Sequence, residues 1–434
     1  MRIFSACIFA ITIGLSQTAT ATVFKTEKWI TKNGVRVVFY PAMEVPMLDV
    51  SIAFAAGSAY DENQYGLSAL TSSMMNQGNA GLNATAIAES LADVGAQYKV
   101  EINRDMVVFS LRTLVSQEAM NKAGNTFTQI INHPDFPDAA FSREKKQQLM
   151  SIEQTQESPE DVAQLRFFQA LYQQHPYAHP VRGTTETVNA ISKSQVIEFN
   201  KRYYVAKNAI LVMVGAINSQ AAHQLADQLT QELPEGQAAP PIPKATQLTK
   251  AETINIPFPS SQTVIRLGQV GIDHHNPNYF PLTVGNYILG GGALVSRLAV
   301  EVREKRGLTY GIESQFAPMS GYGPFLISLS TKNKQTHETL DVIQSVLQAY
   351  IDKGPTDEEM NAAKQYLTGS FPLSLSGNRS IASLLLRMNF YHLPEDFLDT
   401  YTARVNEITS EQVKQAFKQQ VNPDKLLLVT VGKS

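Results

Sequence analysis

The chain has 434 residues, of which 43% are hydrophobic and 17% are charged. That length predicts two or three folded domains, and the apolar content excludes an intrinsically disordered protein. The 36 basic residues are nearly balanced by 39 acidic residues, which leaves a formal charge of −3. Because there is no basic excess, nucleic acid and anionic membranes are excluded as the main partners.

The N-terminus has the pattern of a cleavable signal peptide. Arg2 precedes an apolar run from Ile3 to Leu15 that is too short to span a bilayer. Ala19-Thr20-Ala21 fits a small-residue cleavage site. We therefore expect cleavage after Ala21 and a periplasmic mature chain. The alternatives are a retained membrane anchor and a lipid anchor on Cys7, although few apolar residues precede Cys7.

A proline-rich segment divides the mature chain into two parts. Pro240-Pro241-Ile242-Pro243 has three prolines in four residues, which disfavours both a helix and a sheet interior. We predict a signal peptide at 1–21, an N-terminal domain at 22–233, a linker at 234–249 and a C-terminal domain at 250–434.

The two predicted domains resemble copies of one unit. In each, a helix opened by a candidate N-cap residue, Ser192 or Thr409, leads into an apolar strand that ends in glycine. These segments occupy 191–215 and 408–432 and are equal in length. The matched spacing indicates an internal duplication.

Strands and long helices are mixed in both halves. Near the start of each half, a strand at 50–54 or 263–267 is followed by a turn and by a helix from about Leu67 or Tyr279. Further apolar runs predict strands at 37–40, 106–111, 210–215 and 324–330. The predicted fold class is α+β, with two homologous domains, each a mostly antiparallel sheet with helices packed on one face.

One segment of the first half resembles a zinc-binding helix. Gly66-Leu67-Ser68-Ala69-Leu70-Thr71-Ser72-Ser73-Met74-Met75-Asn76-Gln77-Gly78 is similar to G-L-A-H-F-L-E-H-M-L-F-K-G of the pitrilysin/insulinase family of zinc peptidases. The family's inverted motif, H-x-x-E-H, has two histidine ligands on one helix face and a glutamate general base. Matched to this chain, the histidines fall on Ala69 and Ser73, and the glutamate falls on Ser72.

A second segment resembles the part of the family that holds the third zinc ligand, a glutamate. Phe141–Ile152 is similar to F-E-R-E-x-x-V-L-E-E-I, and the ligand position falls on Ser151. Glu153 is two residues further along a predicted helix, so it points to roughly the opposite face. All three ligands and the base are therefore replaced, and we expect no metal, no cofactor and no peptidase activity in this chain by itself.

Other clusters do not replace the lost site. His175 and His179 are four residues apart, but Pro176 and Pro180 disfavour a helix that would bring them together. The adjacent pair His274-His275 lies in a polar turn, where neighbouring side chains diverge. The sequence also lacks a convincing serine-nucleophile motif or phosphate loop.

The second half keeps a recognisable motif. Leu289–Leu298 and Glu301–Tyr310 are similar to the family's L-G-G-G-x-x-S-R-L and E-V-R-E-K-R-G-L-x-Y. The i, i+3, i+4, i+7 spacing predicts a helix that buries one face, and Gly307 is a candidate left-handed cap before a strand from near Thr309. The residues on that predicted buried face are Val295, Leu298, Ala299 and Val302.

The resemblance gives Arg303 and Tyr310 a catalytic role. In the family, an arginine and a tyrosine seven residues apart bind the substrate carbonyl and stabilise the tetrahedral intermediate. The alternative is structural, with Arg303 paired to Glu301 or Glu304 and Tyr310 half-buried. Arg306 is the less favoured donor because it is only four residues from Tyr310.

Family members of this length resemble one half of a clamshell, and two such chains enclose a chamber. We expect the non-catalytic subunit of a periplasmic heterodimeric zinc peptidase, which binds an unstructured peptide substrate and contributes Arg303 and Tyr310. The expected partner is a homologous chain that bears H-x-x-E-H and holds the zinc. The alternative is a non-enzymatic peptide-binding or structural protein of the same fold. A further alternative is that the chain forms a homodimer when no partner is present.

Overall fold

Apolar residues at alternating positions form two large β-sheets in the computed structural model, which describes residues 25–433. The predicted signal peptide, residues 1–21, lies outside the described residues. The first half contains β1 (Glu27–Ile30), β2 (Arg36–Pro41), β3 (Met47–Phe54), β4 (Gly78–Asn79), β5 (Leu82–Asn83), β6 (Gln97–Ile102), β7 (Val107–Leu114) and β8 (Ala209–Gly215). The second half contains β9 (Glu252–Pro257), β10 (Gln262–Val270), β11 (Ile312–Phe316), β12 (Pro324–Lys332) and β13 (Leu427–Gly432).

The helices are distributed over both halves. The first half has α1 (Leu67–Met74), α2 (Ala84–Ala92), α3 (Gln117–Asn132), α4 (Asp138–Glu157), α5 (Pro159–Tyr172), α6 (Thr185–Ala190), α7 (Lys193–Tyr203) and α8 (Ser219–Thr230). The second half has α9 (Tyr279–Asn286), α10 (Thr336–Lys353), α11 (Asp357–Ser370), α12 (Asn378–Phe390), α13 (Phe397–Glu407) and α14 (Ser410–Gln420). Between residues 25 and 433, no helix combines the length and apolarity needed to cross a bilayer.

The two sheets share one topology over five strands, and the first sheet has β1 as an additional edge strand. The strand order is β1-β2-β8-β3-β7-β6 in the first sheet and β9-β13-β10-β12-β11 in the second. In each sheet the strand that ends the repeat unit, β8 or β13, runs parallel to one neighbour and antiparallel to the other. The remaining pairs are antiparallel, so the predicted α+β class with mostly antiparallel sheets is confirmed.

Matching helix caps support the internal duplication. Ser192 and Thr409 both form capping boxes, in which the cap backbone N–H donates to the side chain of Gln195 or Gln412 at 2.8 Å. Each box gives hydrogen-bond partners to two backbone N–H groups at a helix start that would otherwise lack them. The two predicted N-caps are therefore confirmed.

Each half covers the open face of the other half's sheet with one helix. The α5 helix packs on β10 and β13 of the second sheet, and α12 packs on β3 and β8 of the first sheet. Because both faces of each sheet are covered, β8 is buried along its whole length. The predicted one-sided packing describes each half's own helices, and the exchanged helices cover the opposite face.

The segment between the halves is held against both of them. Residues 235–248 have no helix or strand, yet Ala245 and Leu248 are buried. The Ala245 N–H donates to the carbonyl of Gly321 at 2.9 Å, and a His175 ring nitrogen lies 2.8 Å from the carbonyl of Pro243. The predicted domain limits remain a prediction, but this segment is an ordered connection rather than a free tether.

Candidate functional site

The first half builds the frame of the zinc-helix site from α1 and α4, which pack against each other. The Gln148 amide, on α4, donates to the carbonyl of Gly66 at the start of α1 at 3.0 Å. Beneath that start, the buried Asp61 carboxylate accepts from the N–H groups of Gly66 and Ser68 at 2.7 and 2.8 Å. Burial raises the pKa of Asp61 to about 7. The two helices that resemble the ligand-bearing segments are therefore neighbours.

The serines at the general-base position and at one ligand position are hydrogen-bonded to their own helix. Ser72 Oγ donates to the carbonyl of Ala69 at 2.8 Å, and Ser73 Oγ donates to that of Leu70 at 3.0 Å. Ser151 lies three residues after Gln148, hence on the side of α4 that faces α1. Glu153 is exposed. Alanine and serine are not zinc ligands, so the residues at these four positions do not fit zinc.

The histidine pairs have structural contacts. His179 stacks on Tyr65 with ring centroids 4.3 Å apart, and the ring of His274 contacts that of Tyr391 in a tilted arrangement with centroids 4.0 Å apart. Burial lowers the pKa of His179 and of His274 to about 4. Across residues 25–433, no three His, Cys, Asp or Glu side chains are grouped closely enough to hold a metal ion.

The second-half motif begins with glycines in a π-helical turn, Tyr287–Gly291, that packs closely on β11. A Cβ atom on Gly290 would lie 2.6 Å from the backbone nitrogen of Ser314, so only glycine fits there. The chain is extended at Ser296, which interrupts the single helix expected from the sequence. As a result, Val295 belongs to a short 3₁₀ turn and is 72% exposed, and its predicted burial was wrong. The other three residues of that face, Leu298, Ala299 and Val302, are buried.

The end of this helical segment follows the prediction more closely. Gly307 has φ of +61°, a left-handed conformation that closes the helix. The following strand, β11, begins at Ile312 rather than near Thr309. The reason is local: the Thr309 hydroxyl bonds to the carbonyls of Gly311 and Ser330, which holds the chain in a turn before the strand.

Arg303 has no carboxylate partner within ion-pair distance among residues 25–433. Glu301, the partner expected in the structural alternative, instead pairs with Lys305 at 2.6 Å and Arg306 at 2.7 Å. Hydrogen bonds from these two cations lower the pKa of Glu301. Arg306 is therefore engaged, whereas Arg303 lines a cavity of about 470 Å³ beside β10 and β11.

Tyr310 is exposed to solvent rather than packed. Its side chain is 86% exposed, which removes the alternative of a half-buried tyrosine. The adjoining Gly311 and the 60% exposed Leu294 line the same cavity as Arg303. A guanidinium, a phenol and an exposed apolar side chain therefore lie at or next to one concave surface. The catalytic role of Arg303 and Tyr310 stays a prediction.

A buried polar cluster between the halves was not found from the sequence. Asp105, in the β6–β7 turn, accepts hydrogen bonds from the phenols of Tyr177 and Tyr391 and, at 3.1 Å, from the Ser320 N–H. Tyr391 and Ser320 belong to the second half. The local pattern Asn103-Arg104-Asp105 reads as an ordinary polar turn, so no sequence signal marked it.

The duplicated halves, the exchanged helices and the α1–α4 frame define a two-domain fold of the M16 peptidase class. Residues 37–185 match the model for the insulinase family (peptidase family M16), and residues 190–367 match the model for the peptidase M16 inactive domain. A solved peptidase M16 inactive domain from Pseudomonas fluorescens has 37% sequence identity and a TM-score of 0.91, covering 94% of this chain and 98% of that one. This chain belongs to the M16 family.

Two curated relatives have lower identity. An "uncharacterized zinc protease" of Rickettsia felis is 27% identical, over 77% of this chain and 80% of the relative. A "non-peptidase homolog" of Helicobacter pylori is 24% identical, over 91% and 90%. Ala69, Ser73 and Ser151 stand at the three ligand positions and Ser72 stands at the general-base position, and these replacements agree with the second description.

Proposed function

We propose that this chain is the non-catalytic subunit of a periplasmic, heterodimeric zinc peptidase. In this proposal it closes the chamber, binds the substrate peptide and supplies Arg303 and Tyr310 to the active site of its partner. The partner is a homologous chain that carries H-x-x-E-H and holds the zinc ion.

The proposal rests on the accessibility of the two hydrogen-bond donors, Arg303 and Tyr310. Tyr310 is 86% exposed, and Arg303, which forms no ion pair within the described residues, lines a cavity. A guanidinium and a phenol are suited to hold a peptide carbonyl as negative charge develops on its oxygen. Such donors accelerate hydrolysis only beside a group that activates water, and the residues at this chain's own ligand positions cannot hold the ion that would do so.

Exposed apolar side chains beside the donors support a protein partner on this side of the molecule. Leu294 and Val295 are 60% and 72% exposed, in the turn that precedes the Arg303 segment. Covering apolar surface drives association, with about 25 cal/mol gained for each Å² removed from water.

The test is reconstitution with the H-x-x-E-H paralogue from the same genome. The two mature chains are mixed with zinc and an unstructured fluorogenic peptide, and complex formation is followed by size-exclusion chromatography with light scattering. We expect a one-to-one complex that cleaves the peptide faster than the zinc chain alone. The proposal fails if no complex forms, or if the complex is no faster. The same measurement on this chain alone reports whether it forms a homodimer.

A second candidate is a non-enzymatic peptide-binding or structural protein of the same fold. It is favoured by the description of the Helicobacter pylori relative as a non-peptidase homologue. In that case Arg303→Ala and Tyr310→Phe would leave every activity of the mixed chains unchanged, while a complex with another protein would still be recovered.

A further inference from the structure

A second, larger cavity of about 910 Å³ is lined by residues of the first half, and it neighbours the Arg303 cavity because α5 lines both. It is bounded by the C-terminal end of α4, by α5, by the loop 173–186 and by the turn 59–65, with Arg104 in its wall. We call it the Arg104 cavity. Its volume is within the range of about 300–1,000 Å³ that is typical of small-ligand sites.

Arg104 is a partly buried cation that forms no ion pair within the described residues, and Asp105 acts on its charge only at longer range. Its Nε donates to the neutral carbonyl of Tyr177 at 2.9 Å, and its guanidinium lies 3.7 Å from the ring centroid of Phe168. Among residues 25–433, no carboxylate lies within ion-pair distance of it. Burial lowers the pKa of Arg104 to about 10, so the side chain is still charged at neutral pH.

Asp105, which follows Arg104 in the sequence, forms its hydrogen bonds with other groups. The two carboxylate oxygens of Asp105 accept from two tyrosine hydroxyls and from the N–H of Ser320, all in the polar cluster between the halves. Asp105 is therefore held by that cluster and is not hydrogen-bonded to the guanidinium. A charge that is partly withdrawn from water without a partner is unfavourable, and an anionic ligand would remove that cost.

The remaining charges of the wall also favour an anion. Arg166 and Arg182 are exposed and line the same cavity. Of the two acidic residues in its wall, Glu62 is neutralised by Arg202 at 2.8 Å, and Glu186 is exposed at the start of α6. The two histidines of the wall have lowered pKa values because they are buried, and they are neutral at pH 7.

Amide groups form a further part of the wall. Five glutamines line the cavity: Gln156, Gln164, Gln169, Gln173 and Gln174. A glutamine side chain both donates and accepts hydrogen bonds, which matches the N–H and C=O groups of a peptide backbone. Apolar side chains such as Val162 and Leu165 complete the wall and can contact side chains of a ligand.

We propose that the Arg104 cavity binds the C-terminal end of a short peptide, with the free α-carboxylate paired to Arg104 and the preceding peptide groups bonded by glutamine amides. The residues of this site do not include Arg303 or Tyr310, and binding there needs neither zinc nor a partner chain. It gives this chain a peptide-binding function of its own, with a preference for free carboxyl ends.

The test uses the mature single chain and a matched pair of N-acetylated alanine-glycine pentapeptides, one with a free C-terminal carboxylate and one with a C-terminal amide. Affinity is measured by isothermal titration calorimetry. We expect the free acid to bind at least tenfold more tightly than the amide. Arg104→Met should weaken binding of the free acid at least tenfold, and Arg104→Lys, which keeps the charge, should weaken it less. The control, Arg143→Met, removes an arginine of α4 that does not line the cavity and should have no effect.

A second variant keeps the test decisive if Arg104→Met does not fold. Thr155 is a wall residue of α4, and Thr155→Trp fills part of the cavity while Arg104 is retained. It should abolish peptide binding with an unchanged circular dichroism spectrum. The proposal is overturned if acid and amide peptides bind equally, if folded Thr155→Trp binds normally, or if inorganic phosphate at equal concentration displaces the peptide as well as the free peptide does. The peptide-binding test contains no zinc subunit, so a negative result does not contradict the proposed heterodimer. A negative reconstitution with the zinc subunit likewise does not contradict peptide binding in the Arg104 cavity.

Discussion

The phenol of Tyr391 donates a 2.8 Å hydrogen bond to Oδ2 of Asp105, a residue 286 positions earlier in the chain. Tyr391 follows α12, the helix that covers the first sheet, and Asp105 lies in the turn that joins β6 to β7 of that sheet. The bond thus ties the exchanged helix to the half that it covers. The other donors to Asp105, Tyr177 and Ser320, extend the connection to the β11–β12 loop.

Asp105→Asn should destabilise the folded chain. The side-chain amide has one acceptor oxygen in place of two, so at least one of the buried donors loses its partner. We expect the free energy of unfolding in urea to fall by about 2 kcal/mol, and Tyr391→Phe to lower it by about 1 kcal/mol. The control is Tyr366→Phe, at a 56% exposed tyrosine, which should change it by less than about 0.5 kcal/mol. Equal effects of the two tyrosine variants would contradict the role of the cluster.

Phe167→Ala should weaken the packing of the other exchanged helix. Phe167 is fully buried where α5 meets the second sheet, and its ring lies against Gly268 of β10. Truncating a fully buried phenylalanine costs about 3–5 kcal/mol because a cavity remains. Leu373→Ala, at a 72% exposed leucine, is the control with an expected change below about 0.5 kcal/mol. A small effect at Phe167 would show that α5 does not hold the second sheet.

Arg303→Ala and Tyr310→Phe should each keep the complex with the zinc subunit and reduce its turnover. The expected loss in kcat is roughly 10²–10³-fold, as when a donor to a developing oxyanion is removed. Arg306→Ala is the matched control, since Arg306 is held by Glu301 and should leave kcat unchanged. If the Arg303 and Tyr310 variants have normal turnover, they are not the donors.

Restoring the replaced ligands should create a zinc site. The variant Ala69→His/Ser73→His/Ser151→Glu puts two imidazoles on α1 and a carboxylate on the side of α4 that faces it. Because these helices pack together, we expect about one zinc ion per purified chain by elemental analysis. The control carries the two histidines only and should bind zinc at least tenfold more weakly. Failure of the triple variant to bind zinc would place the lost site elsewhere.

His179 should make a contribution that destabilises the folded chain as the pH falls from 6.5 to 4. Burial lowers its pKa to about 4, so the unfolded chain binds a proton in this range and the folded chain does not. Protonation therefore favours unfolding as the pH falls, by up to roughly 3 kcal/mol at pH 4. Asp61, with a pKa raised to about 7, acts in the opposite direction in the same window, so the comparison is made between variants.

Relative to the wild type, His179→Gln should gain free energy of unfolding in urea as the pH falls across this window, by up to roughly 3 kcal/mol at pH 4. His337→Gln, at a highly exposed histidine, is the control and should follow the wild-type curve. A His179→Gln curve parallel to that of the wild type would show that His179 is protonated normally in the folded chain.

Much of the fold was predictable from local patterns. The strands at 37–40, 210–215 and 324–330 were each recovered within β2, β8 and β12, and the helix caps at Ser192 and Thr409 were correct. These features depend on side chains close together in sequence, where periodicity and capping operate. The predicted burial of Val295 was wrong because the backbone is extended at Ser296, which interrupts a helical pattern that is continuous in the sequence.

The sequence by itself determined that Ala69, Ser73 and Ser151 stand at the ligand positions and Ser72 at the general-base position. Whether a side chain can bind zinc depends on its own chemistry, which the sequence states directly. It also singled out Arg303 and Tyr310 by residue type and spacing. Only the tertiary structure decided that Arg303 has no ion pair among the described residues and that Tyr310 is exposed. It alone brought Arg104 to a cavity wall and Asp105 to Tyr391, because such contacts join residues far apart in the chain, and no local pattern records them.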